Sequence, residues 1–283
     1  MVAPDGVRLA VRTAGDPANP TLVCLHGYPD NKGLWDGVVD RMSDRYHVVA
    51  YDTRGAGESS KPRPRRAYRL DVLEADCAAV LDAASPDRPV HLLAHDWGSI
   101  QGWHFVTGDR LRGRIASFTS ISGPCLDHAG LRLRMRNRGR GQGPLPRQLL
   151  KQVGMSWYIG FFQIPFVPEL VFRSVGRIVL ARIGRRRPSS TRPSSAAVDD
   201  YVYGVQLYRA NMIPRLLRPE ERRTTVPVQV IAPTRDRYVG VPLQTQVEQW
   251  APNLRVHTVP SGHWLPRTRP DLVAELVTAH IEG

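Results

Sequence analysis

The sequence predicts an α/β fold: a mostly parallel sheet with helices on both faces, interrupted by one inserted segment. Two observations carry this. Short apolar runs of strand type alternate with stretches whose apolar residues recur at helical spacing. The alternation stops near Ser122 and resumes at Val226, so the stretch between is an insertion and not a terminal appendage. A chain of 283 residues is long enough for one large core plus such an insertion.

The elements follow in order. Residues 7–11 open an N-terminal hairpin. Residues 21–25 form a buried strand ending at His26-Gly27, and residues 46–51 another ending at Asp52. Leu70, Leu73, Cys77, Val80 and Leu81 share one face of a helix. Residues 89–93 read as a buried parallel strand and 99–106 as the helix after it. Residues 115–121, 226–231 and 254–259 supply further strands, and a last helix covers about 271–281. The boundaries expected are a core of residues 1–123 and 225–283 and a mainly helical lid, or cap, of residues 124–224. Within the lid, residues 185–195 (Arg-Arg-Arg-Pro-Ser-Ser-Thr-Arg-Pro-Ser-Ser) are of low complexity and read as a mobile loop.

Composition narrows the partners. Hydrophobic residues make up 42% of the chain, which suits a globular protein. The formal net charge is +13, yet only Lys32, Lys61 and Lys151 are lysines. So strong a bias to arginine reads as a codon-composition effect. The basic clusters at 132–147 and 185–192 lie among Gly, Pro and Ser without interleaved aromatics, which argues against nucleic acid. A weak attraction to an anionic membrane surface is the most that this charge implies. Three cysteines cannot all pair, so free thiols in a reducing, cytoplasmic setting are expected. Asp5, Arg8 and Arg12 interrupt any leader-type apolar run. The most apolar long stretch, 158–172, is broken by Gln163, Pro165, Pro168 and Glu169 and does not read as a membrane span.

The stretch Ala94-His95-Asp96-Trp97-Gly98 is the most informative in the chain. It joins a strand to a helix in the pattern small–x–nucleophile–x–small, the form of a nucleophile elbow. Such a turn drives its central residue to positive φ, which Asp tolerates better than most, and needs small neighbours, which Ala94 and Gly98 supply. A carboxylate there suits attack on an sp³ carbon to form an alkyl ester, the chemistry of epoxides and alkyl halides. The turn His26-Gly27-Tyr28-Pro29 follows another strand. The backbone N–H groups of Tyr28 and Trp97 can together form an oxyanion hole. His263, in Pro260-Ser261-Gly262-His263-Trp264 after the last strand, is the expected general base for water. Asp236, after the strand before, is expected to orient it. The rival acid position, after residues 115–121, has no carboxylate before Asp127.

Taken together, these motifs resemble the α/β-hydrolase superfamily, specifically its epoxide hydrolase branch. The match runs through His26-Gly27-Tyr28-Pro29, Asp52-Thr53-Arg54-Gly55-Ala56-Gly57-Glu58-Ser59, His95-Asp96-Trp97-Gly98, Asp236 and Gly262-His263-Trp264. Ala94 stands where many relatives carry Gly. The resemblance implies a mostly parallel eight-stranded sheet, a structural role for the Asp52–Ser59 segment, and two lid tyrosines that hold the epoxide oxygen. Tyr158, in Tyr158-Ile159-Gly160-Phe161-Phe162-Gln163-Ile164-Pro165, and Tyr208, in Leu207-Tyr208-Arg209-Ala210-Asn211-Met212, fit those two segments. Tyr201 and Tyr203 are the fallback.

The implied reaction is hydrolysis of a small, apolar epoxide to a vicinal diol, with catalytic Asp96, Asp236, His263, Tyr158 and Tyr208 and with neither metal nor organic cofactor. Tyr28, Pro29, Trp97, Phe162 and Trp264 are the expected substrate-lining residues. The alternative is a haloalkane or haloacid dehalogenase using the same Asp nucleophile, and a third option is a non-catalytic ligand-binding relative. The resemblance extends to bacterial proteins in which such a hydrolase precedes a short-chain dehydrogenase. No Gly-rich dinucleotide fingerprint follows a strand here, which leaves open a single-domain relative or the removal of a second domain. Oligomeric state is also open, a homodimer being one option.

Overall fold

Five consecutive buried residues in β2 (Thr21–Leu25), and again in β3 (His47–Tyr51), mark strands covered on both faces. A computed structural model describes residues 1–137, 154, 156–176 and 195–283. The expected loop at 185–195 lies outside the described residues up to 194. So do residues 138–147 of the first basic cluster and the whole of the second.

Seven strands form one sheet in the order β1-β3-β2-β4-β5-β6-β7. Besides β2 and β3 these are β1 (Val11–Ala14), β4 (Val90–His95), β5 (Ile115–Ile121), β6 (Val228–Pro233) and β7 (Leu254–Val259). All pairs are parallel except β1 with β3. The expected eight strands are therefore corrected to seven among the described residues. The N-terminal hairpin spends residues 3–7 on a turn, with Ala3 N–H on the Val7 carbonyl and Gly6 at φ 83°. One bridge, Val2 with Arg8, is all that forms before β1. Arg8 and Ala10 bond to the loop after β3, Ser60 N–H donating to the Arg8 carbonyl and Ala10 N–H to Ser59 Oγ, while Leu9 N–H donates to the Met1 carbonyl. β6 starts two residues later than the apolar run, at Val228. Pro227, with no N–H, only lends its carbonyl to Phe118 N–H.

Alternation within the strands splits the core in two. Val23, Leu25, Val49 and Leu92 face α2 (Leu70–Ala84) and α3 (Trp97–Val106). Leu22, Cys24, Val48 and Leu93 face α1 (Asp36–Met42) and α10 (Pro270–Glu282). Cys24, Cys77 and Cys125 are all buried and free. Among the described residues no helix is long and apolar enough to cross a membrane.

Between β5 and β6 the chain forms α4 (Leu126–Asn137), α5 (Trp157–Gln163), α6 (Val167–Ser174) and α7 (Ser195–Leu217). Polar side chains fasten these helices to the core. Asn211 accepts from Leu70 N–H at 3.0 Å, capping α2, and donates to the Tyr68 carbonyl at 2.8 Å. Asp200 accepts from Gly57 N–H at 2.8 Å. Arg209 donates to the carbonyls of Phe162 and Ile164, both at 2.7 Å, and pairs with Glu169, so α7 holds α5 and α6. Two short helices, α8 (Val241–Thr245) and α9 (Leu265–Thr268), complete the described α-helices.

Candidate active site

The sheet order places β3 on one side of β2 and β4 on the other, so the order of strand addition reverses between β2 and β4 while the strands stay parallel. A crevice outside the carboxyl ends of the strands is the expected ligand position at such a switch. His26-Gly27-Tyr28-Pro29 leaves β2 there, and Asp96 leaves β4.

Asp96 has φ 53° and ψ −118°, the strained conformation of an elbow, and precedes the first turn of α3. The small neighbours are obligatory. A Cβ on Gly98 would come within 2.3 Å of the Leu25 carbonyl oxygen, and one on Gly27 within 2.4 Å of Asp96 Oδ1. That close approach of Gly27 lets Tyr28 N–H donate to Asp96 Oδ1 at 2.7 Å. Trp97 N–H also donates to the carboxylate. The turn is itself held by His26, whose Nδ1–H donates to the Gly27 carbonyl at 2.9 Å while Nε2 accepts from Thr53 N–H at 3.0 Å. Tyr28–Pro29 is a cis peptide. Burial raises the Asp96 pKa to about 6, against the charge of His263 and the two N–H donors, which pull it down.

His263 lies between two carboxylates. Its Nδ1 is 2.9 Å from Asp236 Oδ2, and its Nε2 is 3.6 Å from Asp96 Oδ2. Asp236 Oδ1 accepts from Tyr238 N–H at 2.7 Å and Val239 N–H at 3.1 Å. Burial pushes the Asp236 pKa up, but the His263 hydrogen bond and charge and these two N–H groups outweigh it and hold the carboxyl below its usual range. Burial pushes the His263 pKa down, but the Asp236 hydrogen bond and the charges of Asp96, Asp236 and Asp30 leave it raised. Nδ1 thus keeps its proton toward Asp236, and Nε2 faces Asp96.

Tyr158 and Tyr208 come together over this centre. Their rings meet edge-on at 5.9 Å, Tyr208 lies 4.8 Å from Trp97, and the two hydroxyls hydrogen-bond each other. Burial raises both phenol pKa values, and the nearby Asp96 charge adds to it, so both stay protonated donors at neutral pH. Phe162 packs at 4.8 Å from Tyr208 and 5.7 Å from Tyr28. Trp264 meets the His263 ring at 5.0 Å and donates its indole N–H to Asp30 at 2.8 Å.

Of the fallback tyrosines, Tyr201 packs its ring edge-on to Tyr28 at 5.9 Å and beside Phe172 at 5.2 Å, and its carbonyl accepts from the Tyr28 hydroxyl at 3.1 Å; Tyr203 packs against Val198 and Val202. Asp127 is likewise occupied, accepting from Glu220 N–H and facing Arg215 and Arg222. Asp52 and Arg54 are structural: Asp52 binds Lys32 and Glu58 N–H, and Arg54 pairs with Asp76 and Asp5.

Three residues of the site escape the sequence reading. Tyr238 lies 4.8 Å from the His263 ring and 5.9 Å from Tyr158. Asp30 lends His263 its charge while binding Trp264 and Arg267. His95 donates Nε2–H to the His263 carbonyl at 2.9 Å and packs at 4.7 Å from its ring. Burial lowers the His95 pKa to about 3, so it is a neutral donor. Only its place beside Asp96 could have drawn attention to His95. Among the described residues, no group of three or more His, Cys, Asp or Glu side chains is gathered as for a metal ion.

This topology, with a carboxylate on the elbow after β4 and an Asp–His pair after β6 and β7, defines an α/β-hydrolase-fold protein of the acid-elbow class. A family model for the alpha/beta hydrolase fold matches residues 20–270. The chain belongs to this family. It is 35% identical, over 97% of its length, to "Probable oxidoreductase EphD" of Mycobacterium tuberculosis H37Rv, of which it spans 48%. It is 31% identical, over 66% of its length and 55% of the relative's, to "Epoxide hydrolase A" of the same strain. The chain thus spans about half the length of these relatives. Among solved structures, a Bacillus megaterium epoxide hydrolase mutant in complex with its diol product matches with a TM-score of 0.81. That match has 23% identity and covers 100% of this chain and 99% of the other, a likeness of fold.

Proposed function

We propose that this chain hydrolyses an epoxide to a vicinal diol through an ester on Asp96, with residues 124–224 as the lid. The observation that carries the reading is the pair of protonated phenols, Tyr158 and Tyr208, set against a buried carboxylate. A carboxylate nucleophile needs no base, which suits a His263 Nε2 too far from Asp96, at 3.6 Å, for a good hydrogen bond.

The first half-reaction uses Asp96 Oδ2, because Oδ1 is held by Tyr28 N–H. Oδ2 attacks an oxirane carbon, the carbon–oxygen bond on that carbon breaks, and the ring oxygen takes a proton from the tyrosine pair. The ester leaves Asp96 uncharged. Since the Asp96 charge helps keep His263 protonated, its loss releases His263 toward the neutral base. In the second half-reaction Nε2 takes a proton from water, whose oxygen adds to the ester carbonyl carbon. The N–H groups of Tyr28 and Trp97 receive the oxyanion, and such donors typically contribute about 10²–10³-fold. Collapse expels the diol oxygen, which takes the proton from His263, and the proton left on the Asp96 carboxyl returns to the tyrosine pair, so that carboxylate and phenol are both restored. The flanking Phe162, Tyr28, Trp97 and Trp264 rings favour an apolar substrate.

The relative named an oxidoreductase is about twice as long as this chain, and that name is not carried over. The test is diol formation from a panel running from styrene oxide to long-chain fatty epoxides, beside halide release from chloroalkanes. Diol without halide, abolished by Asp96→Ala, is expected. Halide release with no diol would overturn the reading. Single turnover in H₂¹⁸O should put the label into Asp96 and leave the first diol unlabelled.

A further inference from the structure

The inserted helix α6 is inside out. Its carboxylate, Glu169, turns inward to Arg209, while Val167, Leu170 and Val171 face water. Phe166, just before it, is 83% exposed and sits at φ 64°, a left-handed conformation that a bulky residue rarely holds. Trp157 on α5 is 72% exposed and Ile164 is exposed beside them. Six large apolar side chains exposed along fifteen residues are more than scattered surface hydrophobics, and such patches mark interaction sites.

Charge identifies the partner. Residues 128–198 contain fourteen Lys and Arg and a single carboxylate, the inward Glu169. The rest of the chain carries 25 residues of each sign, so the whole net charge of +13 belongs to this segment. Within the described patch, Arg173 is exposed at the end of α6. An exposed apolar helix face in a segment of strongly positive composition, with Arg173 exposed beside it, is the pattern of an interfacial helix on anionic lipid. A second copy fits poorly, because a two-fold pairing would press one cationic segment against another. Nucleic acid fits less well, because four of these six side chains, Ile164, Val167, Leu170 and Val171, are aliphatic and offer bases no stacking surface.

We infer that the α5–α6 face docks on anionic membrane surfaces, with Trp157, Phe166 and Leu170 entering the headgroup layer. Tyr158 follows Trp157 in α5, so the docked face adjoins the candidate site without including it. The inference does not depend on the proposed reaction.

The test is co-sedimentation with phosphatidylglycerol/phosphatidylcholine vesicles and with pure phosphatidylcholine vesicles. The wild type is compared with Phe166→Asn/Leu170→Ser and, separately, Trp157→Ser. Asn suits the left-handed position 166, and circular dichroism checks each fold. Wild-type partition onto the anionic vesicles should exceed that onto the neutral ones at least tenfold, and each folded variant should lose most of it. Trp157→Ser, in a different helix, decides the matter if the double variant fails to fold. No wild-type binding, or variants that bind as well as wild type, would overturn the inference. So would a dimer in light scattering that the substitutions dissociate, or an oligonucleotide bound more tightly than vesicles.

Discussion

Replacing Tyr158 and Tyr208 by phenylalanine isolates the hydrogen bond to the epoxide oxygen from the shape of the lid. Tyr208 is buried, with rings at 4.8 Å (Trp97), 4.8 Å (Phe162) and 5.4 Å (Tyr28), and phenylalanine preserves all of these contacts. What is lost is the hydroxyl. One donor to developing negative charge in a dry site is typically worth about 10²–10³-fold, or about 3–4 kcal/mol. The two hydroxyls also bond each other, so the survivor in a single variant takes over part of the task. Each single variant should therefore slow alkylation by about 10–100-fold, and the double variant by about 10³-fold or more. Hydrolysis of the ester, once formed, should change little, because its charge develops at the Tyr28 and Trp97 N–H groups. Rapid mixing followed by intact-protein mass spectrometry reads the alkylation step directly. A double variant that alkylates within tenfold of wild type would refute the argument and favour a halide-leaving reaction.

Three further outcomes follow from the same geometry. His263→Gln should accumulate a covalent adduct of substrate mass on Asp96, because only the second half-reaction needs the base; neither an adduct nor a slowed hydrolytic phase would remove His263 from that role. Asp96 has its pKa raised from 3.8 to about 6, so its stability contribution is present at low pH and is lost as pH rises through about 6. Asp96→Asn should then stabilise the fold at pH 8, by at most about 3 kcal/mol, and by little near pH 4, as urea melts will report. The same titration should make wild-type alkylation fall about tenfold per pH unit below about 6. His95→Phe removes the donor to the His263 carbonyl and should slow ester hydrolysis more than alkylation. His95→Gln, which can still donate, should restore it, and equal loss in both steps would argue for a merely structural role.

The local chemistry was legible wherever it is written in contiguous residues. The elbow at 94–98, the turn at 26–29 and the loop at 260–264 each join an apolar strand to residues whose size or charge the turn demands. Their order along the chain follows the sheet. The pairing of the Tyr158 and Tyr208 segments was legible through resemblance alone, since Tyr158 and Tyr208 lie fifty residues apart on different helices. Arg209 and Asn211 beside Tyr208 read as motif letters; the fold gives them a reason, as the clamp on α5–α6 and the cap of α2.

Periodicity and turn chemistry are local, so the alternation of strand and helix, and the candidate positions of Asp96, Asp236 and His263 on the turns after strands, could be read from the chain alone. The number of paired strands and the tuning of the site came from the folded molecule. Arg8 and Ala10 bond to a loop and Leu9 to Met1, and none of the three joins the sheet. Tyr238, Asp30 and His95 reach His263 from three separate segments, and the pKa values of Asp96 and His263 depend on burial and on charges brought close by folding. Those are through-space effects, and through-space distance is what a linear sequence does not contain.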